Sequence, residues 1–291
     1  MKNIYLAIFI VAILVSCSKE NIQNDNEIKL RGAISKINTK TEGSSVDNLT
    51  VSIAGWENTT SPDYTMAAKW QTNSIISTEA ANTALTFAMP QYYNADNSIK
   101  SYVKAWYPQG VPSAGVINIA NSLGDVDILY ATEVSGSKLA NITTPLIFNH
   151  LTTQLKFAIV AGTGLSAGTT LSSIKVKSVQ IPTSLNLLTE SLNGSTIADY
   201  MIQGISANTI GATTIAVGDP IMILPRKGVN LKLDVVTSTA VFTDVPVIID
   251  VDTDLLPGKS YTITLTFKQS SIALTATVTP WTNGTATGEV E

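Results

Sequence analysis

The chain has 291 residues, 44% of them apolar and 14% charged, which excludes an intrinsically disordered protein and suffices for one large or two medium cores. A net charge of −4 and a pI near 5.1 leave no electrostatic footprint for a nucleic-acid partner. Cys17 is the only cysteine, so no intramolecular disulfide can form and stability must come from packed apolar surface and backbone ladders.

The chain opens with Met1-Lys2, followed by a nearly unbroken apolar run from Ile4 to Val15. The run is too short to span and remain in a bilayer, and a small residue precedes Cys17, as in an export signal with its cleavage point. The ending Leu14-Val15-Ser16-Cys17 resembles the lipobox of bacterial lipoproteins. That resemblance implies removal of residues 1–16 and attachment of lipid to the Cys17 sulfur, which would exclude thiol catalysis and a cysteine zinc site. Ser18 to Glu27 is polar, acidic and without periodicity, the composition of a tether. Ile28, Leu30 and Ile34 then alternate with Lys29 and Arg31, predicting a half-buried strand. A polar loop, Asn38 to Ser45, follows; it carries Lys40-Thr41, a bond of the kind a trypsin-like protease cuts.

The body reads as short strands bounded by Pro, Gly, Asn and Asp. Period-two alternation predicts strands at Leu49–Gly55, Thr83–Met89, Ser101–Tyr107 and Val126–Ala131. Pro145 to Val160 predicts a strand with a break near Leu151 to Thr153. Ser173–Val179, Pro220–Leu224, Leu231–Val236, Val245–Val251, Ser260–Phe267 and Ile272–Val278 complete the set, while Ser184 to Thr196 suits a helix or a long loop. Strands at this spacing with almost no helical period indicate an all-β, antiparallel β-sandwich protein. The expected division is a signal peptide at 1–16, a tether with a removable first strand at 17–40, and sandwich domains at 41–145 and 146–291.

No constellation for catalysis emerges, and no enzyme activity, cofactor or metal is expected. His150 is the sole histidine and no serine stands in G-x-S-x-G, so a structural histidine is expected. Ser101-Tyr-Val-Lys104 and Ser172-Ser-Ile-Lys175 match S-x-x-K but fall in strands without their partner motifs. Gly162 to Gly168 has the wrong spacing for a dinucleotide loop and reads as a turn. Asp250-Val-Asp-Thr-Asp254 opens like a calcium loop, yet Leu255 and Tyr261 stand where glycine and glutamate are needed. The aromatics of the first half, Trp56, Trp70 and Trp106 above all, are candidates for a ligand-facing platform or for core residues.

Several landmarks stand in one order: the lipobox, the strand before Thr39-Lys40-Thr41, Asp127-Ile-Leu-Tyr-Ala131, Phe148 to Phe157, Ile223-Leu-Pro225, Gly258 to Leu265, and Val278-Thr-Pro-Trp281. Together they resemble the fimbrillin family of Bacteroidales, the subunits of type V pili, over essentially the whole chain. The resemblance implies two transthyretin-like antiparallel β-sandwich domains in tandem and export as a surface-exposed outer-membrane lipoprotein. It further implies cleavage by a trypsin-like protease after a basic residue behind the first strand, insertion of a neighbouring subunit's strand, and residence in the fimbrium after processing. Lys40 is the better cut site, because cleavage at the alternative, Arg31, would split the alternating strand. The family more often has arginine there. Ile28, Leu30 and Ile34 would be the plug. The polar tail Thr282 to Glu291 has no alternating apolar face to donate, which favours a tip or accessory subunit over a stalk one. The expected partners are other pilus subunits, the maturation protease, the outer membrane through lipid, and host or bacterial surface ligands. A monomeric surface lipoprotein binding glycans or host proteins is the alternative.

Overall fold

The structure, a computed structural model, describes residues 26–35, 48–77, 82–228, 231–247, 254–269 and 271–280. Strands occur where side chains alternate between core and solvent. In Lys259–Phe267, for example, Tyr261, Ile263, Leu265 and Phe267 are buried while Thr262, Thr264 and Thr266 are half-buried. In chain order the strands of the first half are β1 Leu30–Ile34, β2 Asn48–Asn58, β3 Trp70–Ser77, β4 Thr83–Leu85, β5 Lys100–Tyr107, β6 Val116–Asn118, β7 Leu129–Gly136 and β8 Leu146–His150. The second half holds β9 Thr153–Ala161, β10 Leu171–Val179, β11 Pro182–Asn186, β12 Ser191–Gly194, β13 Ala198–Met201, β14 Ile215–Ile223, β15 Lys232–Thr237, β16 Val241–Pro246, β17 Lys259–Phe267 and β18 Ile272–Pro280. No helix occurs among the described residues.

A seven-stranded sheet, β3-β2-β5-β7-β8-β1-β4, builds the first half. Because side chains alternate across it, it has two apolar faces. One carries Val51, Ile53, Val103, Ala105, Leu129, Leu146 and Phe148 in a first core. The other carries Ala54, Trp56, Trp106 and Tyr130, covered by the small sheet β12-β11-β6 through Ile117, Leu185 and Leu187. The second half is a sandwich of β13-β10-β15-β16 on β14-β9-β17-β18, closed over a third core that includes Phe157, Ile174, Val176, Leu233, Ile263 and Phe267. Pairing is antiparallel except for β1–β8 and β9–β17, which are parallel.

Several expectations change here. Leu146 and Phe148 are wholly buried in the first core, so the first unit runs past residue 145 to His150, and the chain crosses at Leu151-Thr152. The expected break near Leu151 is this crossing. Ser184 to Thr196 is neither helix nor long loop: β11 and β12 form a hairpin, with Leu185 paired to Leu192 across a turn at 187–190. The strand expected at Thr83–Met89 stops at Leu85, where β1, its only sheet neighbour, runs out of register partners. The strand expected at Val126 to Ala131 starts at Leu129 and continues to Gly136 against β5.

Candidate functional site: a groove filled by the first strand

β1 lies inside the seven-stranded sheet rather than at its rim. On one side Gly32, Ala33 and Ile34 pair in parallel with Leu146, Ile147 and Phe148 of β8; on the other, Leu30, Arg31 and Gly32 pair antiparallel with Leu85, Ala84 and Thr83 of β4. The ladder extends past both ends. The Ile28 N–H donates to the Gln91 carbonyl at 2.7 Å, the Tyr93 N–H to the Asn26 carbonyl at 2.8 Å, and the Ser35 N–H to the Phe148 carbonyl at 2.8 Å. Withdrawing residues 26–35 would therefore leave donors and acceptors open on two walls, β8 and the β4–Tyr93 stretch.

The side chains follow the same logic. Ile28 is 1% exposed and Leu30 3%, both in the first core, and Ile34 is half-buried against it. Full burial of an aliphatic side chain contributes about 1.5–3 kcal/mol, so Ile28 and Leu30 together hold the strand by roughly 3–6 kcal/mol. Arg31 points outward, and its Nε and Nη2 donate to the Asn82 side-chain and main-chain oxygens, both at 2.9 Å. Its peptide is locked between two neighbours, which a protease seeking an extended, accessible segment cannot use. Cys17, Lys40 and Thr41 lie outside the described residues.

The aromatic platform is not where the sequence allowed it. Trp106 is 0% and Trp56 3% exposed. Their indole N–H groups donate to the Gly110 carbonyl at 3.2 Å and the Met66 carbonyl at 3.0 Å. These rings fill the core between the large sheet and the β6-β11-β12 sheet, where their apolar area is worth more than on a surface. Trp70 is half-buried and lies across Gly55, its cross-strand partner; a Cβ on Gly55 would stand 2.2 Å from Trp70 Cε2. The ring covers the gap the glycine leaves; Trp56 and Trp106 are core residues, while Trp70 keeps part of its ring at the surface.

Between the units sits a buried charge that sequence reasoning missed. Lys104 of β5 is 2% exposed. Its Nζ donates to Glu190 Oε1 (2.9 Å), the Leu187 carbonyl (2.8 Å) and the Tyr130 hydroxyl (2.9 Å), and lies 4.2 Å from the centre of the Tyr64 ring. Tyr130 also donates to Glu190 at 2.8 Å, and Tyr64 to Glu133. Burial alone would raise the Glu190 carboxyl, but the bonds from Lys104 and Tyr130 outweigh it and hold it below its ordinary value. Glu133 is pushed up by burial and by the charge of Glu190. The signal was available: Lys104 alternates with Tyr102 and Trp106, so it shares their inward face. The Lys104 ammonium of the Ser101-x-x-Lys104 match is thus engaged by Glu190, Leu187 and Tyr130. His150 likewise is buried, its Nδ1 2.6 Å from Asp127, whose other oxygen accepts from Thr152 at 2.7 Å. Gly162 to Gly168 turns between β9 and β10, and Gly164 and Gly168 have positive φ. Of the Asp250 to Asp254 stretch only Asp254 is described; it accepts the Gly228 N–H at 2.8 Å.

Fold and site thus define an all-β sandwich protein whose first strand fills the interior of a sheet. The fimbrillin-like family model matches residues 38–281, and the chain belongs to the fimbrillin-like family. Membership makes it a structural, non-enzymatic component of a cell-surface fimbrial appendage. Solved structures share the fold. A candidate cell adhesion protein from Bacteroides uniformis is 17% identical, with a TM-score of 0.60 over 89% of this chain and 99% of that one. A second, from Bacteroides ovatus, is 15% identical with a TM-score of 0.56 over 89% and 98%. A fimbrial protein from Bacteroides vulgatus is 11% identical with a TM-score of 0.54 over 88% and 100%. No curated protein matches the chain.

Proposed function

We propose that this protein is an adhesive pilus subunit exported as a lipoprotein on Cys17, cut after Lys40, and assembled when a partner's strand replaces β1. The observation that carries this reading is the position of β1. It is the first strand among the described residues, it is bonded on both sides within a sheet, and Ile28 and Leu30 are buried beneath it. A segment so placed can leave without breaking a chain connection once the following loop is cut. The gap it leaves offers ladder hydrogen bonds for affinity and side-chain pockets for register. Addition of a strand from another subunit is a heterologous contact that does not close on itself, so it extends a filament.

On this reading the lipid holds the precursor at the outer membrane and departs with the plug. Cleavage falls at Lys40-Thr41 rather than Arg31, whose peptide is held in the ladder. A tip or accessory position is favoured by β18, whose residues Ile272 to Pro280 are all spent on pairing with β17. Incubating the full-length protein with an Arg/Lys-specific protease and sequencing the new N-terminus tests the processing step. Thr41 is the expected first residue; an intact Lys40-Thr41 bond under conditions that cut other exposed lysines would sink it.

A further inference from the structure

If assembly proceeds by strand exchange, the groove must recognise its incoming strand, and β1 occupies that groove in this structure. The inward positions of the plug are Ile28, Leu30, Gly32 and Ile34. Three are aliphatic and one has no side chain. A glycine inside a strand weakens it, through chain entropy and lost packing, unless something approaches closely. Here something does. A Cβ at Gly32 would stand 3.1 Å from Leu85 Cδ1 and 3.2 Å from Ile76 Cδ1. Leu85 is 6% exposed and Ile76 0%, so neither tip has solvent to retreat into. Leu85 belongs to β4 and faces Leu30, and Ile76 belongs to β3. Two walls of the first core therefore converge on the point where the plug offers hydrogen instead of carbon.

We infer that the groove selects a partner strand by a small residue at this point. Its occupant is an extended segment of another subunit reading apolar, x, apolar, x, small, x, apolar, seated parallel to β8 and antiparallel to β4. The inference rests on the strand-exchange reading and adds the register to it. Aliphatic residues at the first and third places fill the sites of Ile28 and Leu30. The fifth place takes Gly, and Ala with a shift of a few tenths of an ångström in Leu85 and Ile76. A β-branched or larger residue there drives carbon into a packed core. Slippage by two residues would bring an aliphatic residue to the constriction, so the same feature fixes register. The series also stands in this chain's own sequence at Ile272, Leu274, Ala276 and Val278, in β18, which is paired with β17 here.

The test uses full-length protein cut after Lys40, or at a specific protease site placed within residues 41–47, so that the plug becomes exchangeable. Fluorescent peptides copying residues 26–35 compete for the groove, with Gly, Ala or Val at the position of Gly32. The expected result is uptake of the Gly peptide, weaker uptake of the Ala peptide, and uptake of the Val peptide lower by about ten-fold or more, the scale of overpacking a core. Leu85→Ala in the receiving protein should narrow the gap between Val and Gly peptides, because it removes the nearest atoms. Equal uptake of the Gly and Val peptides would overturn the selectivity while leaving strand exchange standing. Failure of every peptide to enter the cut protein would instead defeat strand exchange itself, and the inference with it.

Discussion

Shortening Leu30 to alanine separates a removable plug from an ordinary core strand. The side chain is 3% exposed and sits in the first core with Ile28, Leu85 and Phe148. Leu→Ala at such a site costs about 2–5 kcal/mol, transfer and cavity terms together. Taking about 3 kcal/mol, the opening constant of the segment rises by roughly two orders of magnitude. If β1 opens as a unit of its own, the loss falls on that opening and not on the rest of the fold. Amide exchange followed by mass spectrometry would report it. Peptides covering 28–35 should exchange about a hundred-fold faster in Leu30→Ala, the β8 edge should lose protection with them, and peptides from β10 and β15 should be unchanged. Equal acceleration throughout the first unit would refute the reasoning, because β1 would then open only with its whole core. No acceleration at 28–35 would refute the packing account as well.

Other consequences follow from the junction and from Gly55. Removing one partner of an ion pair costs about 3–5 kcal/mol when the charge left behind stays buried, and the Lys104 side chain is 3% exposed, so Glu190→Ala should cost about 3 kcal/mol by denaturant titration. Lys104→Met should cost less, because it leaves Glu190 free to hydrate instead of stranding a buried cation. Glu190 is held below its ordinary value, so its stabilisation is complete above the ordinary glutamate range and is lost as pH falls through the lowered value. Thermal midpoints of Glu190→Gln against pH should show a flattened acid limb. Glu133 has the opposite sign: its carboxyl is raised, so its charged form is a cost at neutral pH that protonation relieves, and Glu133→Gln should raise the midpoint at pH 7 more than at pH 4. Gly55→Ala should destabilise by more than about 2 kcal/mol, since the new methyl would lie 2.2 Å from a carbon of the Trp70 ring; a neutral result in thermal melts would contradict the placement of Trp70.

Long strands are the most legible part of the fold, because half-burial on a sheet leaves a period-two record. Lys259–Phe267 carries it plainly, and the break between β8 and β9 shows in it; in Leu171–Val179 only Ile174 and Val176 keep the alternation, because the register shifts after Leu171 and after Val176. β3 is harder to read: Gln71, Thr72 and Asn73 face solvent or the edge, and only Ser74 and Ile76 are buried. The β11–β12 hairpin is illegible for a different reason. Leu185 and Leu187 are buried by β6 and the tryptophans, from far away in sequence. Leu188 is 49% exposed in the turn beside them, so the run Leu185 to Leu188 gives no period. Ile28, Leu30 and Ile34 announce a half-buried strand, but not that it lies between β8 and β4, which is fixed by pairings across fifty and more residues. Tryptophan identity alone could not separate platform from core; Trp56 and Trp106 are covered by a sheet that sequence reading had not placed.

The most direct test of the plug account is the intact mass of the folded protein, cut after Lys40 and mixed with excess strand peptide of the form set by Ile28, Leu30, Gly32 and Ile34. Under native conditions the account predicts loss of the fragment that ends at Lys40 and its replacement, one for one, by the peptide, with the protein still compact. Retention of the fragment against excess peptide, or its release only on unfolding, would contradict it.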